Sequence, residues 1–174
     1  GNNAFASNYA NAFPGTLSFE TDGLPDASGQ NLGQGASSII KGGALLKNGS
    51  GTFLLRNYIY GGFSSGGVLV QTPSVQVNSG TLKLVTSTSI WDYADVSVAS
   101  GAVWDLGGYS ETVGSIAGLG TIRNGSTLTM TYNNPSLTTA FGGTIEGGVA
   151  LVKNGLTGIL ELSSANTYTG LTTI

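Results

Sequence analysis

The stretch Val77 to Leu84, VNSGTLKL, contains the pattern that decides the fold. An apolar residue is followed by a polar pair and Gly80, and the next four residues alternate, so that Leu82 and Leu84 point to one side of the chain and their neighbours to the other. Alternation with a period of two after a turn residue predicts a β-strand with one buried face.

Related units recur along the chain, each around a glycine. They read FPGTLSF, LKNGSGTFLL, VASGAVWDL, IRNGSTLTM and VKNGLTGILEL, and their turn glycines are Gly15, Gly49, Gly101, Gly125 and Gly155. With Gly80 included, successive glycines are 34, 31, 21, 24 and 30 residues apart, within the roughly 20 to 50 residue period of solenoids and arrays.

The direction of the motif favours a coil over an array of hairpins. Neighbouring units of a hairpin array run in opposite directions, whereas here the order of apolar, polar and glycine positions is kept, so equivalent residues would stack if each unit were one coil. We therefore predict an all-β fold, a single-stranded parallel β-helix of six to eight coils. The Asn-Gly pairs at 48–49, 124–125 and 154–155 predict one shared turn geometry, with positive φ, and their Asn side chains could form a ladder of amide hydrogen bonds from coil to coil.

Composition excludes several classes of protein. The chain has 29 glycines in 174 residues, and only 9% of its residues are charged against a norm of about 25%, which disfavours helix. A hydrophobic fraction of 40% and a net charge of −3 argue against disorder. Six scattered Lys and Arg residues form no basic patch for nucleic acid, and no apolar run is long enough to span a bilayer.

The chain contains neither Cys nor His. Disulfides, thiolate metal sites and the Ser-His-Asp and Cys-His arrangements of hydrolases are therefore excluded for this segment. We expect no enzymatic activity, no cofactor and no metal.

Two regions differ in regularity. We predict an irregular N-terminal coil with a loop at residues 1–38 and a β-helical repeat region at 39–174. We expect the two to be continuous with each other and the whole to be a fragment of a longer chain. The residues predicted to face inward are Leu17, Phe19, Phe53, Leu55, Val75, Val77, Leu82, Leu84, Val96, Val98, Leu106, Ile122, Leu128, Met130, Leu151, Leu160 and Leu162.

The C-terminal stretch Ala150 to Ile174, ALVKNGLTGILELSSANTYTGLTTI, closely resembles the passenger-associated transport repeat of bacterial autotransporters. That pattern has a Lys, a Gly-rich turn, a Leu-x-Leu strand, then Asn-Thr-Tyr-x-Gly and a Thr-rich strand. The matching residues are Lys153, Gly155, Leu160, Leu162, Asn166, Thr167, Tyr168, Gly170, Thr172 and Thr173. Ser164 and Leu171 depart from it, because glycine is usual at both positions. The stretch from Lys47 to Tyr60 looks like a second, less regular copy.

This resemblance implies a right-handed parallel β-helix that is exported through the outer-membrane β-barrel of its parent protein. It also implies an extracellular or cell-surface location and a structural role, as a passenger stalk that serves adhesion or self-association. The expected partners are then the export barrel, other copies of the chain, or ligands on host or environmental surfaces. Two alternatives remain: a filament-forming extracellular subunit that stacks end to end, and a polysaccharide-acting β-helix enzyme.

The acids nearest to aromatic residues are the candidates for a sugar site. Asp92 and Asp95 lie beside Trp91 and Tyr93, and a neighbouring coil could bring Asp105 or Glu111 close to them. Paired carboxylates beside aromatics suit a glycosidase or a sugar-binding groove, but acids flanking an aromatic corner are common on protein surfaces. The two arginines, Arg56 and Arg123, have no evident acid partner in the sequence.

Two weaker candidates lie earlier in the chain. Tyr58, Tyr60 and Phe63 could form an exposed ligand surface, although aromatic residues that cap the corners of a solenoid explain them better. Calcium at Asp22 and Asp26, with Gln30 or Asn31, is possible by ligand type, but the spacing of an EF-hand loop is missing.

Overall fold

The computed structural model describes residues 17–20, 40–41, 44–55, 59–60, 64–65, 68–69, 74–131, 138–155 and 158–174. Side-chain environments are described for 45–55, 74–131, 138–155 and 158–174. Every regular element in these ranges is a β-strand, and none of these residues is helical. The prediction of an all-β fold is confirmed.

Three parallel sheets form the body. The first sheet has seven strands, in the spatial order β1 (Leu17–Glu20), β3 (Ala44–Asn48), β8 (Ser74–Val77), β10 (Asp95–Val98), β13 (Ser115–Gly118), β16 (Thr138–Phe141) and β19 (Ile159–Leu162). The second sheet has six: β4 (Thr52–Leu55), β9 (Thr81–Leu84), β11 (Val103–Asp105), β14 (Thr121–Arg123), β17 (Thr144–Gly147) and β20 (Thr167–Tyr168). The third sheet has four: β12 (Glu111–Val113), β15 (Thr127–Met130), β18 (Ala150–Lys153) and β21 (Thr172–Thr173).

Two short pairs lie outside these sheets. Strand β2 (Ile40–Lys41) pairs in parallel with β5 (Ile59–Tyr60), whereas β6 (Ser64–Ser65) pairs with β7 (Val68–Leu69) in the antiparallel sense. From β10 onward the chain visits the three sheets in turn, and each strand lies beside its counterpart from the previous turn. This is the β-solenoid that the direction of the repeat predicts.

The number of turns is smaller than predicted. Among the described residues, four turns contain a strand in all three sheets, rather than the six to eight coils predicted. A glycine interval of 30 residues or more could hold one coil with an extruded loop, or one coil and part of a second. The register supports the first: Leu45 pairs with Val75, Val75 with Val96 and Val96 with Ile116, so steps of 30, 21 and 20 residues are each a single turn.

The core is a set of apolar columns enclosed by the three sheets. Of the residues predicted to face inward, those found buried are Phe53, Leu55, Val75, Val77, Leu82, Leu84, Val96, Val98, Leu106, Ile122, Leu128, Met130 and Leu151. Leu160 and Leu162, on the last turn, are half-buried against this core, and the side chains of Leu17 and Phe19 lie outside the described set. Each fully buried large apolar side chain stabilises the fold by about 1.5 to 3 kcal/mol.

The prediction that the three Asn-Gly pairs share one turn geometry is wrong. The pair at 48–49 joins the first sheet to the second, the pair at 124–125 joins the second to the third, and the pair at 154–155 follows the third. Gly49 and Gly155 have positive φ values of 76° and 101°, but at the middle pair Asn124 itself takes φ 56°. Its amide Nδ2 donates to Asp105 Oδ2 at 3.0 Å, and the next glycine, Gly125, leaves room for the side chain of Leu106. Of the other predicted turn glycines, Gly80 and Gly101 have positive φ, and Gly15 lies outside the described residues.

Candidate ligand-binding groove

The outer face of the second sheet carries a row of alternating charge. Lys83 pairs in register with Asp105, Asp105 with Arg123 and Arg123 with Glu146. Since adjacent parallel strands lie about 4.8 Å apart, each cation has an acid as its neighbour on the next strand. We call Lys83, Asp105, Arg123 and Glu146 the charge ladder.

A second row, mainly of threonines, runs beside the charge ladder. Thr52 pairs with Thr81, and Thr121 with Thr144, with Val103 between these two pairs. Thr81, Val103, Thr121 and Thr144 each lie two positions before a ladder residue on the same strand, so the two rows share the outer face. Thr52 extends the threonine row by one strand. The face therefore presents hydroxyl groups and charges in parallel rows along the solenoid axis.

A groove of about 330 Å³ opens on this face. It extends over β4, β9, β11 and β14, which is about 14 Å at the usual strand spacing. Its lining consists of Thr52, Leu54, Thr81, Lys83, Val85, Asp105 and Arg123. The groove thus combines two cations, one acid, two hydroxyl groups and two apolar side chains.

Asp105 is held firmly at the base of the groove. It is only 5% exposed, and its Oδ1 accepts a hydrogen bond from the backbone N–H of Gly107 at 2.9 Å. Its Oδ2 accepts one from Asn124 Nδ2 at 3.0 Å and lies 3.4 Å from Arg123 Nε. The expectation that Arg123 has no acid partner is therefore wrong, because register brings together residues that are 18 apart in sequence.

The two cations have donors to spare. The Lys83 ammonium makes no hydrogen bond or ion pair with any described residue. Arg123 has a side chain that is 39% exposed, and its only recorded polar neighbour within the described ranges is Asp105. A guanidinium has five N–H donors. The Nε–H of Arg123 is buried beside Asp105 without a hydrogen bond, and its terminal N–H groups make no hydrogen bond with the described residues.

The predicted cluster of acids and aromatics forms only in part. Trp91 and Tyr93 make an edge-to-face contact with ring centroids 5.0 Å apart, and Tyr93 is exposed. Glu111 is close enough to Asp92 for their charges to interact. Asp95 instead accepts a hydrogen bond from Ser115 Oγ at 2.5 Å, and Asp105 belongs to the charge ladder. Asp95 and Asp105 are therefore held on the first and second sheets, whereas Asp92 and Glu111 lie close to each other.

Glu111 joins the segment between β9 and β10 to β12, the first strand of the third sheet. The side chain points inward and is 2% exposed. Its Oε2 accepts a hydrogen bond from the backbone N–H of Ser89 at 2.7 Å, and the N–H groups of Thr112 and Ile90 also bond to the carboxylate. Burial raises the pKa of Glu111 from 4.5 to about 7, the three N–H donors oppose this rise, and the Asp92 carboxylate adds to it.

This pKa predicts a pH-dependent stability. Because the folded state holds the Glu111 proton more tightly than the unfolded state does, the free energy of unfolding falls as pH rises from about 4.5 to about 7, by about 3 kcal/mol at most. We expect Glu111→Gln to remove this fall, which urea unfolding at several pH values would measure. Glu146→Gln, on the outer face, is the control that keeps the wild-type pH dependence. An equal pH dependence in wild type and Glu111→Gln would contradict the assignment.

Lys47 is a charged residue buried in an apolar column. It pairs in register with Phe19 and Val77 and is 0% exposed. Its ammonium donates to three backbone carbonyls, those of Asn48 at 2.7 Å, Gly49 at 2.8 Å and Ser79 at 2.9 Å. The last of these lies on the next turn, so Lys47 joins two successive corners.

The Lys-Asn-Gly sequence at 153–155 makes the same lysine-to-glycine hydrogen bond as that at 47–49. Lys153 donates to the carbonyl of Gly155 at 2.9 Å, as Lys47 does to that of Gly49. Beside Lys47, Asn78 Nδ2 donates to Asn48 Oδ1 at 2.8 Å. This amide hydrogen bond joins two turns, but Asn78 belongs to none of the three Asn-Gly pairs, and Asn124 bonds to Asp105 instead. The prediction of a ladder formed by the asparagines of these pairs is therefore wrong, because the pairs lie at different corners.

The other residues of the autotransporter-like motif also support the backbone. Asn166 accepts a hydrogen bond from the backbone N–H of Ile145 at 2.8 Å and donates to the carbonyl of Ser164 at 2.9 Å. The Tyr168 hydroxyl lies 2.8 Å from that of Thr172, and its ring packs against the core. A Cβ at Gly170 would lie 2.6 Å from Ala150 Cα, so only glycine fits there. Thr167 pairs in register with Glu146, at the end of the charge ladder.

Several predicted sites cannot be placed. The calcium candidates Asp22, Asp26, Gln30 and Asn31, together with Arg56, Tyr58 and Phe63, lie outside the described residues, and Tyr60 is described only as part of β5. Within the described ranges, no group of three or more acids is arranged to hold a metal ion. No helix that could cross a membrane is found there either.

Comparisons with family models, curated proteins and solved structures found no match to this chain. The resemblance to the autotransporter repeat therefore stays a prediction that rests on the residues quoted above. The fold itself rests on the strand register.

Proposed function

We propose that this chain is a structural β-solenoid segment of an exported bacterial surface protein, a stalk of the autotransporter passenger type. The observation that carries the proposal is the use of the repeat-like residues. Lys153, Asn166, Tyr168 and Gly170 each support main-chain turns or stacking. These contacts suit a repeat that stabilises the turns of each coil and the packing of one coil on the next.

The stacking suggests how such a segment would work. Each strand takes its hydrogen-bond partners from the strand of the previous turn, so a completed turn is a template for the next. A chain that emerges from a barrel could then fold turn by turn outside the cell. Folding on the far side would oppose its return and so favour export.

The proposal is tested by joining the chain to an autotransporter β-barrel in a Gram-negative host and measuring its cleavage by protease added to intact cells. We expect efficient display of the wild type and a several-fold lower display of Gly170→Ala, because the added Cβ would meet the backbone of Ala150. Gly148→Ala is the matched control, since a Cβ there meets nothing within 4 Å and its φ is not positive. Display no better than that of an unrelated chain of equal length would refute the proposal.

A further inference from the structure

We infer that the groove on the second sheet binds a linear acidic polysaccharide, with uronate carboxylates held by Lys83 and Arg123. This goes beyond the proposed stalk and does not depend on export. The inference rests on the unused donors, the spacing and the mixed lining of the groove.

Charge comes first. The groove contains Lys83, Arg123 and Asp105, but the Asp105 carboxylate already accepts hydrogen bonds from Gly107 and Asn124 and contacts Arg123. The Lys83 ammonium has no hydrogen bond or ion pair with the described residues. The residues that line the groove therefore have a net charge of +1 in a chain whose overall net charge is −3, and Glu146, the next residue of the charge ladder, lies outside the lining. This lining favours an anion.

The remaining lining favours a carbohydrate over a small ion. Thr52 and Thr81 have hydroxyl groups that make no hydrogen bond with described residues, and they lie on adjacent strands. Sugar hydroxyls can both donate to and accept from such groups. Leu54 and Val85 add apolar surface on which the C–H faces of sugar rings can pack.

The spacing favours a chain with repeated charges. Lys83 and Arg123 are on strands separated by β11, so their strands lie about 9.6 Å apart. A small anion cannot reach both, whereas an extended polyanion running along the solenoid axis can. Arginine binds carboxylate through two parallel N–H donors, which suits the exposed side of Arg123.

The test uses oligogalacturonate as the ligand and titration calorimetry as the measurement. We expect binding that weakens as salt is raised and about tenfold loss of affinity in Lys83→Gln and in Arg123→Gln. Lys83→Arg should retain most of the affinity. Lys153→Gln changes the net charge equally but lies on the third sheet, so its affinity should equal that of the wild type.

A second readout locates the ligand. The chain has two arginines, so its Arg Nε–H signals in a proton–nitrogen correlation spectrum are few, and that of Arg123 should shift on binding. An uncharged galactan and sodium acetate are the comparison ligands and should not produce the shift. Equal binding of the galactan, binding of heparin without binding of oligogalacturonate, or an equal loss in Lys153→Gln would each overturn the inference.

Discussion

Replacing Lys47 with methionine is expected to destabilise the chain by about 2 to 4 kcal/mol. Methionine has nearly the length of lysine and suits the apolar column, so the loss comes from the ammonium and its three hydrogen bonds. The carbonyl of Gly49 keeps a bond from Ser79 Oγ at 3.1 Å. Those of Asn48 and Ser79 lose the ammonium as a donor, and unsatisfied acceptors near the core are costly.

Urea unfolding followed by circular dichroism would measure this change. Lys83→Met is the matched control. Lys83 lies on β9, but its side chain points outward, and its ammonium has no hydrogen bond or ion pair with the described residues. Its expected change is within about 0.5 kcal/mol. If Lys47→Met were as stable as the wild type, the cost of dehydrating the ammonium would equal the gain from its bonds, and Lys47 would not act as a clamp between turns.

The fold could be predicted because its signal is local and repeated. Strands such as Thr81–Leu84 alternate buried and half-buried residues. The sequence TLKL shows the same alternation, because its two leucines are the buried residues. Most of the predicted inward residues belong to such segments. Trp104 and Phe141 were missed although both are 0% exposed, since Trp104 precedes an acid and Phe141 follows three small or polar residues that hide the alternation.

The groove could not be predicted because it depends on register between turns of unequal length. Lys83, Asp105, Arg123 and Glu146 are separated by 22, 18 and 23 residues. Glycine spacing gave a different set of intervals, because the repeated glycines occupy different corners of the solenoid. Aligning the strands TLKL, VWD, TIR and TIEG by their inward residue would have placed the four charges in one row, but the sequence offers no mark of which strands belong to one sheet.

Gly80→Ala is expected to cost about 3 kcal/mol or more, whereas Gly101→Ala should cost only about 1 to 2 kcal/mol. The two glycines end similar sequences, NSG and ASG, and have similar φ values of 64° and 79°. Both substitutions therefore lower the free energy of unfolding by placing an alanine in the left-handed region. Their surroundings differ. A Cβ at Gly101 would meet nothing within 4 Å, but at Gly80 it would meet the carbonyl oxygens of Gly49 and Gly51 and lie 2.8 Å from Lys47 Nζ.

The extra cost at Gly80 should therefore depend partly on Lys47, which a double-mutant cycle measures. In the Lys47→Met background the ammonium and its hydrogen bonds are absent, so a Cβ at position 80 can no longer disturb them. Gly80→Ala should therefore destabilise the chain by less than it does in the wild type. Gly101→Ala, which touches no part of this corner, should cost the same in both backgrounds. Additive effects of the substitutions at 47 and 80 would mean that the two carbonyl oxygens alone exclude a side chain at Gly80. A coupling of about 1 kcal/mol would mean that the glycine also makes room for the ammonium that joins the two turns.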